Sequence, residues 1–147
     1  MSNGNITRAG AAERSQTLSA LSYQVLFDLS GRHDGQPLER PEANFVSTST
    51  VRFTSNGGAS RIDIIADRLL GARLDGAELD VSGFDGHALA FETEAGEHEL
   101  SVTALCRYSN SGEGLHRFVD PADESVYLYS QFESADARRA FACFDQP

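Results

Sequence analysis

The chain has 147 residues, which suits one domain, and it carries 12 basic residues against 22 acidic ones, for a net charge of −10. All of the basic residues are arginine, and so acidic a balance argues against general binding to the phosphate backbone of nucleic acids, which requires a basic surface. Hydrophobic residues make up 40% of the chain and charged residues 23%, the balance of a globular domain rather than of a disordered segment.

The sequence also predicts where the protein resides. No apolar run approaches the roughly 20 residues that a membrane-spanning helix needs. The segment from Met1 to Gly10 is polar and lacks the basic and apolar regions of a signal peptide, so we expect a cytoplasmic protein with no membrane partner. Cys106 and Cys143 belong to no Cys-x-x-Cys pair, and in a reducing compartment we expect two free thiols.

Helical signals are few and stand near the two ends of the chain. Residues 8–18 suit a short N-terminal helix because Thr7 is a good N-cap, although Gly10 weakens the helix. A single short turn of helix is predicted over residues 135–140, with Ser134 as its N-cap. Most of the chain is therefore left to strands.

Alternation of apolar and polar residues dominates the first half of the chain. A half-buried strand is predicted where every second residue is apolar, at Tyr23, Val25, Phe27 and Leu29. The alternation continues over 51–53, stops at the turn-forming residues 55–58 and resumes over 62–64, which predicts a hairpin. A second hairpin is predicted at Asp75-Gly76, between Leu74 and a strand with Leu79 and Val81.

The second half of the chain continues the same pattern. Asp85-Gly86 marks a further turn, and Ala95-Gly96 precedes the most regular alternation, at His98, Leu100, Val102, Ala104, Cys106 and Tyr108. A polar loop over 109–114 and a last strand over 125–132 follow. Frequent short strands with turn dipeptides between them predict an antiparallel all-β sandwich or saddle with a short N-terminal helix, and we expect residues 1–147 to form a single domain.

The residues alone provide no self-sufficient catalytic site. The four histidines lack metal-ligand spacing, and alternation places His98 on the opposite strand face from Glu97 and Glu99, so no metal site is predicted. The Gly-x-Gly within 111–114 precedes no helix, which argues against a phosphate loop. No Gly-x-Ser-x-Gly elbow is present.

The end of the chain carries a long motif. Residues 127–147 read Tyr-Leu-Tyr-Ser-Gln-Phe-Glu-Ser-Ala-Asp-Ala-Arg-Arg-Ala-Phe-Ala-Cys-Phe-Asp-Gln-Pro. This segment resembles the signature near the end of the N-terminal β-domain of zinc aminopeptidases of the aminopeptidase N family, a group of gluzincin metallopeptidases. Ala142 replaces the family's usual proline and Gln146 its usual glutamate, as in the high-GC bacterial branch of the family.

The resemblance extends over essentially the whole chain. Residues 5–14 are similar to that branch's N-terminus, and residues 112–121 are similar to the loop before its signature strand. The resemblance implies a twisted β-saddle that packs on a thermolysin-like catalytic domain of the same polypeptide. That domain's Gly-x-Met-Glu-Asn and His-Glu-x-x-His motifs do not occur here, so we expect any zinc to be bound outside this chain, and residues 1–147 to be inactive alone.

The resemblance also implies roles for two residues of the signature strand. Tyr127, Tyr129, Gln131 and Glu133 share one face of the predicted strand, and the opposite, apolar face is expected to pack into the domain. In the family, the residues that match Gln131 and Glu133 reach into the active site and hold the free α-amino end of a peptide substrate. No role is assigned to His116 and Arg117 in the preceding loop.

A second hypothesis stays open at this point. The chain could be a stand-alone β-sandwich binding module whose acidic surface holds a cationic or a sugar partner. The acidic balance permits this interpretation, but the polar face of the signature strand carries one aromatic pair, Tyr127 and Tyr129.

Overall fold

The computed structural model describes residues 7–132 and 136–144. They form an all-β fold with one short N-terminal helix, which confirms the predicted fold class. Helix α1 spans Arg8–Thr17, and a single 3-10 turn spans Ala137–Arg139. The strands in chain order are β1 (Leu18–Asp28), β2 (Arg32–His33), β3 (Gln36–Pro37), β4 (Asn44–Asp63), β5 (Arg68–Leu74), β6 (Ala77–Glu78), β7 (Ala88–Arg107), β8 (Gly114–Val119) and β9 (Val126–Gln131).

One antiparallel sheet organises the molecule. Its strands lie in the order β1-β4-β7-β5-β6, and two separate two-stranded ribbons are formed by β2 with β3 and by β8 with β9. Helix α1 begins where it was predicted, because the Gly10 amide donates to the Thr7 hydroxyl oxygen at 3.0 Å. No helix among residues 7–132 and 136–144 is long and apolar enough to cross a membrane.

The predicted hairpin with its turn at residues 55–58 is wrong. Strand β4 runs straight through this segment and pairs with β7 from Asn44 opposite Arg107 to Asp63 opposite Ala88. Gly57 adopts a positive φ of 92°, and an added Cβ there would lie 3.3 Å from the backbone of the neighbouring strand, so glycine serves the close approach of the two strands here and not a chain reversal. Continuous pairing with β7 overrides the local turn signal.

The other predicted elements lie close to their expected positions. Asp75-Gly76 joins β5 to β6, and both residues have the positive φ of a tight hairpin turn. The predicted last strand corresponds to β9, whereas β6 ends before Leu79. The second helical segment is only the 3-10 turn, preceded by Asp136, and its predicted cap Ser134 lies outside the described residues.

The core lies on one face of the main sheet, where the alternating residues of β4 and β7 point. The fully buried side chains on these strands include Phe45, Val51, Phe53, Ile62, Leu89, Leu100, Val102, Ala104 and Cys106. Cys106 and Cys143 are both buried free thiols, as expected, and burial raises the pKa of Cys106 to about 11. The Cys106 thiol is therefore not suited to nucleophilic chemistry.

The segment from Ala140 to Phe144 covers this core and is held there by hydrogen bonds. Ser49, an inward-facing polar residue of β4, donates from its hydroxyl to the Ala142 carbonyl at 2.6 Å. The Phe144 amide donates to the Tyr23 hydroxyl at 3.0 Å, which ties the same segment to β1. Polar residues face inward on these strands because the covering segment presents backbone groups that need partners.

A buried ion pair joins the N-terminal helix to the end of β4. The Arg14 guanidinium lies 2.8 Å from the Asp63 carboxylate, and the two side chains are only 4% and 1% exposed. Arg14 also donates to the Arg61 carbonyl at 3.1 Å and lies over the Phe144 ring. The Asp63 backbone in turn exchanges two hydrogen bonds with Cys143. Asp63 therefore connects the start, the middle and the end of the described chain.

A histidine–aspartate pair fixes the β5–β6 turn against β7. His98 Nδ1 lies 2.6 Å from the Asp75 carboxylate, and its Nε2 lies 2.7 Å from the Glu94 carbonyl oxygen. Both neighbours accept hydrogen bonds, so this geometry suits the imidazolium form, in which both ring nitrogens donate. The hydrogen bond with Asp75 raises the pKa of His98 above 6.5 and lowers the pKa of Asp75 below 3.8.

We expect the Arg14–Asp63 pair to contribute strongly to stability. Replacing Arg14 with Gln leaves a buried carboxylate without its cation, and removing one partner of a buried pair costs about 3–5 kcal/mol. Urea denaturation of Arg14→Gln measures this loss in the free energy of unfolding. Arg8→Gln, the same change at an exposed arginine of α1, is the control, and equal stability of the two variants would contradict the expectation.

The His98–Asp75 pair makes stability depend on pH in a defined direction. His98 contributes to the free energy of unfolding fully below its ordinary pKa of about 6.5, and this contribution is lost as the pH rises through its raised pKa. The contribution of Asp75 is lost only in acid, below about 3.8. Melting temperatures measured between pH about 5 and about 9 test this. The excess stability of the wild type over His98→Gln should shrink with rising pH, and Asp75→Asn should remove the same slope. Parallel curves for all three proteins would rule this effect out.

Candidate functional site

The β8–β9 ribbon carries the residues for which the sequence implied a binding role. The two strands pair in register, with Gly114 opposite Gln131, His116 opposite Tyr129 and Arg117 opposite Leu128. Residues directly opposite each other point to the same face of an antiparallel pair. Gln131 therefore shares a face with Tyr129 and His116, whose rings stack with centroids 4.6 Å apart.

Strand β9 of the ribbon is exposed on both faces. The sequence predicted that the apolar face of this strand, with Val126, Leu128 and Phe132, packs into the domain. Phe132, directly after β9, does pack against the core, but Val126 is 50% exposed and Leu128 38% exposed, so the expectation is wrong for these two residues. The tyrosines on the opposite face, at positions 127 and 129, are about as exposed. Ala140, Ala142 and Phe144 of the covering segment belong to the buried core, whereas no residue of β9 does.

The structure places one of the two predicted binding residues. Gln131 is the last residue of β9, and its side chain is exposed at the end of the ribbon. Glu133 lies outside the described residues.

Close backbone contacts hold the Gln131 end of the ribbon. The loop before β8 folds back so that the Ser109 amide donates to the Leu115 carbonyl at 2.8 Å. Gly114, opposite Gln131, has a φ of +69°, and an added Cβ would lie only 2.9 Å from the Arg139 Cβ. This contact requires glycine, because any side chain would push the ribbon away from the 3-10 turn.

The 3-10 turn that follows is itself fixed to the sheet. The Ile65 amide donates to the Arg138 carbonyl at 2.7 Å, and Arg139 pairs with the Asp136 carboxylate at 3.1 Å. Arg138 is buried. Both arginines of the Asp-Ala-Arg-Arg motif therefore take part in holding this turn in place.

The donor groups of the ribbon suit recognition by hydrogen bonds and ring contacts rather than metal binding. Among residues 7–132 and 136–144, no three His, Cys, Asp or Glu side chains lie close enough together to hold a metal ion. His116 was left without a role by the sequence, yet it shares the Gln131 face. The pairing of His116 with Tyr129 puts His116 on this face, and it depends on the register between β8 and β9. The sequence pattern does not specify that register.

Comparison with known proteins indicates which domains this chain is similar to. Residues 80–147 match the family described as the Peptidase M1 N-terminal domain. The fold resembles that in a crystal structure of Legionella pneumophila aminopeptidase A in complex with aspartic acid, with a TM-score of 0.67 over 88% of this chain and 14% of that one, at 14% identity. This second likeness concerns the fold alone.

The whole chain also aligns with a curated relative. It is 42% identical over 151 aligned residues to aminopeptidase N of Streptomyces lividans. The alignment covers 100% of this chain and 17% of that protein, so the chain spans about a sixth of its relative's length. Both findings support the interpretation of this chain as an N-terminal domain of the aminopeptidase N family.

Gly114→Ala should destabilise the domain more than the same change at another left-handed glycine. Gly35→Ala is the matched control, since Gly35 has a φ of +75° but nothing within 4 Å of the added Cβ. Both variants carry the backbone cost of about 1–2 kcal/mol, and overpacking against Arg139 adds about 1–3 kcal/mol at Gly114 only. Chemical denaturation measures the difference, and equal losses in the two variants would show that the contact with Arg139 is readily relieved.

Proposed function

We propose that this chain is the substrate-anchoring N-terminal domain of a zinc metallo-aminopeptidase that removes N-terminal amino acids from peptides. The observation that carries the proposal is the alignment of the entire chain with aminopeptidase N, together with the position of Gln131 at the exposed end of an anchored ribbon. On this proposal residues 1–147 act as one unit of a cytoplasmic enzyme and do not hydrolyse peptides alone.

Glu133 and Gln131 hold the α-amino end of the substrate in this proposal. A carboxylate that leaves water at a domain boundary is costly unless a cation neutralises it, and the α-ammonium group of a peptide supplies that cation. The Gln131 amide both donates and accepts hydrogen bonds, so it can orient the amine or the first carbonyl group. Fixing the free amine determines which peptide bond is presented for cleavage, which makes the activity that of an exopeptidase.

The zinc ion of such an enzyme belongs elsewhere in the polypeptide. The described residues of this chain offer no set of three metal-binding side chains, so they do not fit a zinc site. The contribution of this domain is to bind and orient the substrate.

The exposed apolar surface of the ribbon indicates that another part of the protein covers it. Phe118, Val126, Tyr127 and Leu128 expose apolar surface on both faces of β8 and β9, and a two-stranded ribbon gains stability mainly by packing against another element. We assign this surface to the catalytic domain of the same polypeptide. That contact places the Gln131 end of the ribbon at the boundary between the two domains.

Glu133→Ala in the full-length enzyme should lower kcat/KM on an aminoacyl-anilide substrate. Loss of one partner of a buried charge pair costs about 2–5 kcal/mol, or roughly thirtyfold or more in kcat/KM. Gln131→Ala should give a smaller loss, since it removes a neutral hydrogen-bonding group. Glu92→Ala, at an exposed glutamate of β7, is the control and should retain full activity.

Two outcomes would contradict the proposal. Unchanged kcat/KM in Glu133→Ala would remove the amine-binding role, and chelator-sensitive turnover by the 147-residue chain with added zinc would show that the chain is active alone. Cleavage of substrates whose α-amine is acetylated provides a second readout. The wild-type enzyme should not cleave them, because they lack the α-ammonium group, and the Glu133→Gln enzyme should not cleave them either.

A further inference from the structure

A cavity of about 410 Å³ lies at one end of the main sheet, on the side of the β8–β9 ribbon away from Gln131. Three segments surround it: the turn before β4, the end of β7 with the residues that follow it, and strand β8. Its walls combine three arginines with neutral polar groups and one carboxylate, and its lining residues are Arg40, Glu42, Ala43, Arg107, Tyr108, Ser109, Asn110 and Arg117.

Backbone hydrogen bonds fix these three segments side by side. The Tyr108 amide donates to the Ala43 carbonyl at 2.9 Å, and the Arg117 amide donates to the Ser109 carbonyl at 3.0 Å. The Tyr108 ring packs against the buried Phe45 ring, with centroids 5.0 Å apart. The arginines therefore project from a rigid frame, and their proximity does not depend on a mobile loop.

The positive charge of the cavity is only partly neutralised. Arg107 pairs with the Asp67 carboxylate at 2.9 Å, while its side chain remains 67% exposed. Across the described part of the chain, Arg40 and Arg117 form no ion pair with a carboxylate. Glu42 is the one carboxylate in the lining, so the arginines outnumber it in a protein whose net charge is −10.

This arrangement suits a particular kind of ligand. A concave surface lined by charges of one sign concentrates ions of the opposite sign. The planar guanidinium group donates two parallel hydrogen bonds, which matches the spacing of oxygens on phosphate. Tyr108, Ser109 and Asn110, which also line the cavity, are neutral residues whose side chains can donate hydrogen bonds to an ion with several acceptor oxygens.

We propose that the cavity lined by Arg40, Arg107 and Arg117 binds a small oxyanion of the phosphate class, either as the free ion or as the phosphoryl group of a small molecule. Arg40 and Arg117 provide the unneutralised charges, and Arg107 contributes its exposed donors while Asp67 holds it in place. The site lies on the face of β8 opposite Gln131, so it does not depend on the role proposed for the Gln131 end of the ribbon.

Calorimetric titration of the purified protein at low ionic strength tests the site, with inorganic phosphate in one arm and glycerol 3-phosphate in the other. Saturable binding of phosphate is expected, and Arg40→Gln or Arg117→Gln should each weaken it roughly tenfold, the effect of losing one charge-assisted hydrogen bond. Glu42→Gln should tighten binding, because it removes the opposing negative charge. Arg61→Gln, at an exposed arginine of β4 outside the cavity, should leave the affinity unchanged.

The two arms separate the sources of the ligand. Binding of phosphate alone supports a free-ion site, and binding of both compounds supports recognition of a phosphoryl group. The proposal is overturned if neither compound binds saturably, or if Arg61→Gln weakens binding as much as Arg117→Gln does. Circular dichroism spectra establish that each variant is folded, and the opposite shifts expected for Glu42→Gln and Arg117→Gln cannot both arise from partial unfolding.

Discussion

Asp63 is the residue on which the arrangement of this domain depends. Its carboxylate is almost completely buried and pairs with Arg14, and its backbone pairs with Cys143. A buried carboxylate is tolerated only when a cation and hydrogen bonds replace the water it has lost. Detachment of helix α1 would therefore leave the Asp63 carboxylate in the core without Arg14. The same residue fixes the end of β4 and the segment that covers the sheet. One paired charge thus joins parts of the chain that are far apart in sequence.

The signature segment, residues 127–147, has two parts that differ in their packing. Its first part, strand β9, stands away from the core with both faces exposed, whereas its last part, from Ala140 to Phe144, covers the core and bonds to Ser49 and Tyr23. The 3-10 turn between them is held by Ile65 and by the Gly114 contact. A mutation in the covering part can therefore shift the exposed part without touching it.

Periodicity was sufficient to predict the all-β class, helix α1, the Asp75-Gly76 turn and strand β9, because each depends on neighbours in sequence. The turn at residues 55–58 was predicted wrongly because the pairing of β4 with β7 decides that segment, and a pattern in one strand does not reveal its partner. The exposure of Leu128 was missed for a similar reason, since the covering segment already occupies the core. The cavity with Arg40, Arg107 and Arg117 joins three distant segments, and no local signal could indicate it. The family resemblance added the binding hypothesis for Gln131 and Glu133, which periodicity alone could not provide.

The long pairing of β4 with β7 has a consequence for the order in which the domain forms. Asp63 and Ala88 are 25 positions apart, whereas Asn44 and Arg107, at the other end of the same ladder, are 63 apart. Closing the shorter loop costs less conformational entropy, so we expect the ladder to nucleate at Asp63 and to extend past Gly57 toward Asn44. The end that forms first is the one that receives Arg14 and Cys143. The anchoring point for the signature segment is then complete before the last residues of the chain dock on it.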